Sequence, residues 1–369
     1  MNKLRILMLN YEFPPLGGGA SPVSFELSKG YVSLGHHVDV VTMGFMGLPD
    51  FEKKDGINIF RVKSWRSKKE ICHPWEQLTY VISAKRFLRE HLKNNQYDVC
   101  HCHFIIPTGI IALWLKKNYG IPYVITSHGS DVPGYNPDRF KFLHRFTKPT
   151  IRSICKDAKV ITVPSKYLAG LIKKELGNYN IKVIPNGIDI NKFKPKKKKK
   201  IILSTGRLLP RKGFQYLIRA VSDEDFGYTV HIVGDGPMIS ELKKLAKDSK
   251  TKIVFHGWLD NNSNKFRNLL ESAAIYVLVS EKENASVSLL EAMSAGCAVI
   301  ASNVAGSPET VGKAGIIVKP KDCKDITSSI KNLISNNKLS NSLQKESRKM
   351  ITKKYDNNLI FKSYLKVLI

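Results

Sequence analysis

Ile201-Ile202-Leu203-Ser204-Thr205-Gly206-Arg207-Leu208-Leu209-Pro210-Arg211-Lys212-Gly213-Phe214 reads as a short apolar strand, a basic loop bounded by glycines, and the start of a helix. Cations at a strand end, beside a helix N-terminus, suit an anion such as a pyrophosphate; Arg207 offers a planar fork and Lys212 a point charge. A solvated basic loop is the plainer alternative. Working outward, the same strand-then-helix unit recurs. Strands are expected at Ile201–Thr205, Thr229–Val233, Ile253–Phe255, Ala274–Val279, Ala298–Ala301 and Ile316–Val318, with helices between them and three helical segments after about residue 325. Upstream, strands are expected at Ile6–Leu9, Val38–Thr42, Ile57–Val62, Val99–Cys102, Tyr123–Ser127, Val160–Val163 and Lys182–Ile184. Alternating strands and helices of this kind build parallel α/β sheets. The pattern predicts two doubly wound, Rossmann-like domains facing across a cleft, with ligands beyond the carboxyl ends of the strands. The run Lys196–Lys200 reads as a linker that cannot pack.

The length of 369 residues fits two domains. Hydrophobic residues make up 43% of the chain, as in ordinary globular proteins. No run reaches the ~18 to 20 apolar residues of a membrane span. Ile6–Leu9 is too short for a signal peptide, so the chain is expected in the cytosol, with peripheral contact on the inner face of the cytoplasmic membrane as a further expectation. The net charge of +28 (59 Lys+Arg less 31 Asp+Glu) is shared between the halves: residues 1–185 carry 27 basic and 14 acidic side chains. Such a charge suits anionic partners. No nucleic-acid module is recognisable, so none is expected as a partner.

Six cysteines in a chain of this length make no disulfide framework. Cys100-His101-Cys102-His103 has metal-binding residue types, but on a strand its period of two sends the cysteines to one face and the histidines to the other. A buried strand whose His side reaches a cleft is preferred, and no metal is expected. The loop Pro14-Pro15-Leu16-Gly17-Gly18-Gly19 stands between a strand and a helix but lacks the third glycine of the dinucleotide fingerprint and the Lys-Ser/Thr of a P-loop. Glu283 and Glu291 lie eight apart around Asn284-Ala285-Ser286-Val287, where small residues permit close backbone approach. Carboxylates there suit a hydroxyl-rich ligand.

These motifs together resemble glycosyltransferase family 4, retaining enzymes of GT-B fold and the "glycosyl transferases group 1" type. Glu283 and Glu291 meet the family's Glu-x7-Glu, followed by Ala292-Met293-Ser294-Ala295-Gly296. Gly206, Arg207, Lys212 and Gly213 meet its Gly-Arg-x4-Lys-Gly. Pro185-Asn186-Gly187-Ile188-Asp189 with Phe193, Val233-Gly234-Asp235-Gly236-Pro237 and Gly257-Trp258 match further landmarks. So do Pro15-Leu16-Gly17-Gly18, Gly35-His36-x-Val38, Asp98-x-x-His101-x-His103 and Thr126-x-His128-Gly129-x-Asp131.

The resemblance implies an acceptor-binding domain over 1–187, a nucleotide-sugar domain over 188–353, and a last helix, about 354–369, packing back on the first. It implies that Arg207 and Lys212 hold the donor pyrophosphate without a metal. Glu291 is implied to bind the ribose, Glu283 the transferred sugar, and the backbone of Ala285, Ser286 and Val287 the sugar or phosphate. Gly18 and Gly19 are implied to close over the phosphate, His128 to lie beside the anomeric centre, and Asp131 to orient the site or the acceptor. UDP is the expected nucleotide and GDP its main competitor. Asn284-Ala285-Ser286 stands where Gly-Phe-Gly is commoner, which leaves the sugar open. A non-catalytic nucleotide-sugar-binding subunit and a GT-B nucleotide-sugar 2-epimerase are the alternatives. Two stretches of the first half are basic and aromatic. One, Lys53, Lys54, Arg61, Lys63, Trp65, Arg66, Lys68, Lys69 and Trp75, is read as surface residues. The other runs from Arg139 to Lys148, where cations and apolar residues mix at roughly helical spacing, so Arg139, Lys141, Arg145 and Lys148 are candidates for contact with an anionic membrane, and a lipid-linked acceptor is expected.

Overall fold

The computed structural model describes residues 3–136 and 141–369, with side chains from Phe146 onward in the second stretch. The chain forms two compact units, Met1–Pro185 with Asn358–Ile369, and Asn186–Asn357. In the first unit the strands are β1 (Arg5–Leu9), β2 (His37–Met43), β3 (Phe51–Lys54), β4 (Ile57–Val62), β5 (Val99–His103), β6 (Tyr123–Thr126), β7 (Val160–Val163) and β8 (Ile181–Val183). Its helices are α1 (Ala20–Ser33), α2 (Pro74–His91), α3 (Thr108–Tyr119), α4 (Lys141–Asp157) and α5 (Lys166–Glu175). The sheet order is β3-β4-β2-β1-β5-β6-β7-β8, parallel except for the β3–β4 pair. Strand order reverses between β1 and β5, where a crevice opens beyond the carboxyl ends of such sheets.

Burial on both faces explains the apolar strands. Cys100 and Cys102 of β5 face the core formed with α2 and α3. His101, on the opposite face, meets Tyr31 of α1. The alternation is the one the period of two predicts, but His101 and His103 are fully buried rather than open to a cleft.

The second unit contains β9 (Lys199–Thr205), α6 (Phe214–Ser222), β10 (Thr229–Val233), α7 (Ile239–Leu245), β11 (Ile253–Phe255), α8 (Asn264–Ser272), β12 (Ala273–Leu278), α9 (Val287–Ser294), β13 (Ala298–Ser302), α10 (Ser307–Val311), β14 (Gly315–Val318), α11 (Cys323–Ser335) and α12 (Asn337–Met350). Its sheet is wholly parallel in the order β11-β10-β9-β12-β13-β14, reversing between β9 and β12.

Two expectations need correction. Strand β3 was not foreseen; it pairs antiparallel with β4 through Asp55 and Gly56, both at positive φ, the two-residue hairpin geometry that an Asp-Gly pair favours. Its charged residues suit an edge. Lys196–Lys200 is not a linker. Lys199 and Lys200 open β9, Lys196 pairs with Glu271 at 2.8 Å, and Lys198 Nζ donates to the carbonyls of Glu271 and Ala295 at 3.1 and 2.7 Å. Lysine stems bury their methylenes while the ammonium finds acceptors.

Helix α13 (Asn357–Leu368) joins the first unit's core, where Phe361, Tyr364 and Leu365 meet Ile6, Leu27 and Tyr31. The seat depends on Gly30 of α1: a Cβ there would lie 2.3 Å from the Phe361 ring. Gly30→Ala is expected to cost roughly 1–3 kcal/mol by overpacking. Gly170→Ala, in α5 with open space around it, is expected to stabilise by about 0.5–1 kcal/mol. Urea midpoints of the two variants check the opposite signs.

Candidate active site

In the second unit the loops after β9 and β12 meet at the strand-order reversal. Leu208 is fully buried and anchors the loop that follows β9. Gly206 N donates to Val233 O at 3.0 Å and Leu208 N to Asp235 O at 2.9 Å. At Gly234 (φ +140°) a Cβ would lie 1.9 Å from Gly206 O, so only glycine lets these two loops touch. Residues Pro210–Lys212 make a 3-10 turn closed by Gly213, whose φ is +76°. A Cβ at Gly213 would lie 2.0 Å from Val279 O, and Glu281 N donates to Arg211 O at 2.8 Å. This apposition sets Lys212 Nζ 2.5 Å from Glu283 Oε2. Ser280 Oγ lies 3.4 Å from the same oxygen, and Gly306 N donates to Glu283 O at 3.1 Å. Arg207 is exposed and makes no ion pair or side-chain hydrogen bond among the described residues.

Ala285 O accepts from Asn186 Nδ2 at 2.9 Å, which ties the turn to the start of the unit. Ser286 caps α9 by accepting from Leu289 N at 3.4 Å, and Val287 opens the helix. The first amides of α9 therefore stand at the same end of the sheet. Asn284 is buried. Glu291, one to two turns along α9, is also buried and accepts from Asn261 Nδ2 at 3.2 Å. Burial pushes its carboxyl up to about 7, against the pull of Lys192 and the Asn261 bond. Trp258 is exposed.

In the first unit the glycine turn follows β1. Gly17 sits at φ +94°, and a Cβ would lie 2.5 Å from Glu12. Gly17 N donates to Lys69 O at 2.8 Å, and Gly18 N to Glu12 Oε2 at 3.2 Å. The Gly18 amide is thus engaged by the protein's own carboxylate. Gly19 precedes α1 with open space beside it.

Beyond β5 and β6, Asp131 is buried and fully used. Its Oδ2 accepts from Ile105 N at 2.7 Å; its Oδ1 accepts from Ser127 Oγ, His128 N and Gly129 N at 3.0, 3.2 and 3.0 Å. Burial raises its carboxyl above the usual range while these bonds draw it back. Asp131 therefore positions both loops, and its oxygens are turned inward.

His128 Nε2 lies 2.9 Å from His103 Nδ1, with the rings stacked at 17°. His103 Nε2 is buried without a partner. A bare lone pair is a smaller loss there than an unmade N–H bond. The proton of His103 is therefore assigned to Nδ1, donating to His128 Nε2, which places the His128 proton on Nδ1. Burial keeps both rings neutral, drawing His128 down to about 4 and His103 well below its ordinary value. Glu12 was not singled out from sequence, and His103 entered only through the Cys100–His103 stretch and the Asp98-x-x-His101-x-His103 landmark, with no site role given to it.

Arg139 lies outside the described residues, as do the side chains of Lys141 and Arg145. Lys148 pairs with Glu175 at 3.7 Å. Among the described residues no three His, Cys, Asp or Glu side chains gather to hold a metal ion, and no helix is long and apolar enough to cross a membrane.

Two parallel-stranded Rossmann-like sheets, each with glycine-shaped loops beyond its order reversal, define a protein of the GT-B class. Residues 17–192 match Glycosyltransferase Family 4 and residues 187–350 match Glycosyl transferases group 1. The chain belongs to this family of glycosyltransferases, and it is a transferase enzyme. It is 29% identical to an uncharacterized glycosyltransferase of Methanocaldococcus jannaschii, over 99% of this chain and 97% of that one. It is 28% identical to the UDP-Gal:alpha-D-GlcNAc-diphosphoundecaprenol alpha-1,3-galactosyltransferase of Escherichia coli, over 58% of this chain and 60% of that one. The fold is that of HepE from Anabaena, solved in complex with UDP-glucose: TM-score 0.78, 18% identity, covering 99% of each chain.

Two predictions follow from the site's burial. Glu291 has a folded-state value of about 7 against an ordinary 4.5, so between those pH values the native state holds a proton that the unfolded chain has lost. Stability of the ligand-free protein then falls as pH rises from about 4.5 to about 7 and levels off above. Glu291→Gln removes that slope, gaining on the order of 3 kcal/mol relative to the native chain across the window; denaturant titrations at several pH values measure it. For the histidine pair, nitrogen-15 NMR of His128 is expected to show the Nδ1–H form, turning to a mixture with Nε2–H in His103→Leu. A wild-type Nε2–H signal would refute the assignment.

Proposed function

We propose that the chain moves a sugar from a nucleotide-diphosphate sugar to an acceptor hydroxyl with retention of anomeric configuration and without a metal. The observation that carries this is the Lys212–Glu283 pair beside the exposed Arg207 and the start of α9. It sets phosphate-binding cations against a carboxylate able to accept from sugar hydroxyls. In this proposal Arg207 grips the pyrophosphate bidentately and Lys212 adds charge to the departing phosphate. The amides of Ala285, Ser286 and Val287 reach the sugar or phosphate, and Glu291 receives the ribose hydroxyls in its ionised form. Gly18 and Gly19 approach the phosphate, His128 lies by the anomeric carbon, and Asp131 holds the loop that carries it.

The C1–phosphate bond breaks and the acceptor oxygen bonds to C1 on the same face. The acceptor's proton passes to the departing phosphate oxygen. This route is favoured because one oxygen of Glu283 is committed to Lys212 and the neutral histidines are poor acids.

UDP is preferred to GDP as the nucleotide, supported by the UDP-glucose complex of the Anabaena protein and the UDP-Gal donor of the E. coli relative. The acceptor is a lipid-linked or other cell-envelope glycan, supported by that relative's diphosphoundecaprenol acceptor. The enzyme would act in the cytoplasm at the membrane's inner face.

The test is a thermal-shift screen of UDP, GDP, ADP and their sugar conjugates. At about 100 times its Kd the correct nucleotide adds about 2.7 kcal/mol of apparent stability. The shift should vanish in Arg207→Ala and Glu291→Ala. No shift with any nucleotide would sink the proposal, and turnover of the sugar nucleotide without an acceptor would favour an epimerase.

A further inference from the structure

The outer face of α2 leaves large apolar side chains open to solvent in the described structure. Trp75, Leu78 and Ile82 are 52%, 58% and 61% exposed, and Lys85, Arg86 and Arg89 continue the same face by helical spacing. Trp65, 67% exposed, stacks edge-on against Trp75 at 5.9 Å between centroids. Lys85 and Arg89 lie over the ring of Trp114 on α3, which touches Tyr119. Three large apolar side chains in a row on water are unusual in a helix whose other face already fills a core.

The stripe is held rigidly. Arg66, beside Trp65, turns inward and donates to the carbonyls of Tyr11, Lys68 and Lys69. Glu76 accepts from Ser67 N and His73 N, closing a capping box at the start of α2. With both charges consumed inside, the loop presents Trp65 outward. Lys69 O also receives Gly17 N, so this loop is bonded to the glycine turn of the candidate site.

We propose that this stripe of α2 and the Trp65 loop lies in the interface of an anionic lipid bilayer. The proposal rests on the membrane-proximal acceptor put forward above and names the surface. Trp and aliphatic residues followed by cations along one helix face match the boundary between acyl chains and headgroups. The Trp65 loop adds Lys63, Lys68 and Lys69, against exposed Glu70 on the same loop and Glu90 on α2, the latter paired with Lys93. A second copy of this chain would bring cation against cation. A nucleic acid would offer no apolar phase to Trp75, Leu78 and Ile82. An anionic bilayer meets both demands.

The experiment uses the full chain carrying Trp114→Phe and Trp258→Phe, which leaves Trp65 and Trp75 as its tryptophans. It is mixed with vesicles of phosphatidylcholine alone or with phosphatidylglycerol, at low and high salt. The expected result is a blue shift of tryptophan emission, and co-sedimentation, with anionic vesicles at low salt. Leu78→Gln with Ile82→Gln should weaken partitioning about ten-fold or more, with an unchanged melting temperature showing that the fold is intact. No shift on anionic vesicles overturns the proposal. So does binding that the double variant leaves unchanged, or a lipid-free dimer that the double variant abolishes. No donor or acceptor enters the assay, so its failure would leave the sugar-transfer proposal standing.

Discussion

Gly213 rests against the carbonyl of Val279, and the candidate donor site depends on that contact. A side chain there would overlap the carbonyl carbon at 2.7 Å as well as its oxygen at 2.0 Å. Without the contact the turn that carries Lys212 would stand off from the strand that leads to Glu283, and their 2.5 Å pair could not form. The same device recurs at Gly234 against Gly206 and at Gly236 against Leu208. Three adjacent loops are therefore set by backbone touching backbone. Side-chain flexibility has little say in where these cations and carboxylates stand, which is the preorganisation that electrostatic catalysis requires.

The first unit reaches a similar rigidity by a different route. Its brace is one buried carboxylate, Asp131, accepting from four donors on the loops after β5 and β6. Burial of such a charge is costly alone, and the four bonds offset the cost. The same dry surroundings hold the His103–His128 pair neutral. In the reaction proposed above, with His128 by the anomeric carbon, a neutral imidazole suits positive charge growing on the sugar ring, since a second cation would oppose it.

The repeated unit of strand, glycine turn and helix was plain in the sequence because both periodicities and glycine punctuation are local. Glu283 and Glu291 were legible for the same reason: one loop and one helix carry them. Contacts across neighbouring strands were not. His103 and His128 stand 25 residues apart and meet only because β5 and β6 are adjacent and in register, His103 opposite Thr126. Arg61 and Arg66 read as surface cations, yet both are buried, Arg61 on Glu52 and Arg66 on three carbonyls. Composition reports a charge but says nothing of the acceptors that fold around it. Strand β3 was missed because its residues are polar and its evidence lay in a two-residue turn.

The two carboxylates of the Glu-x7-Glu motif show how one short segment supplies two chemistries. Glu283, in the loop, faces Lys212 and so stands as half of an ion pair. Glu291, in α9, has Asn261 as its one hydrogen-bonded neighbour among the described residues and is pushed up to about 7 by burial. The helix makes the difference: eight residues carry the second carboxylate from a loop rich in donors into a packed interior. Groups whose surroundings diverge in this way divide their work. The carboxylate in the loop is held against a cation. In the reaction proposed above, the buried one would gain hydrogen bonds from the ribose diol, offsetting a desolvation already met on folding.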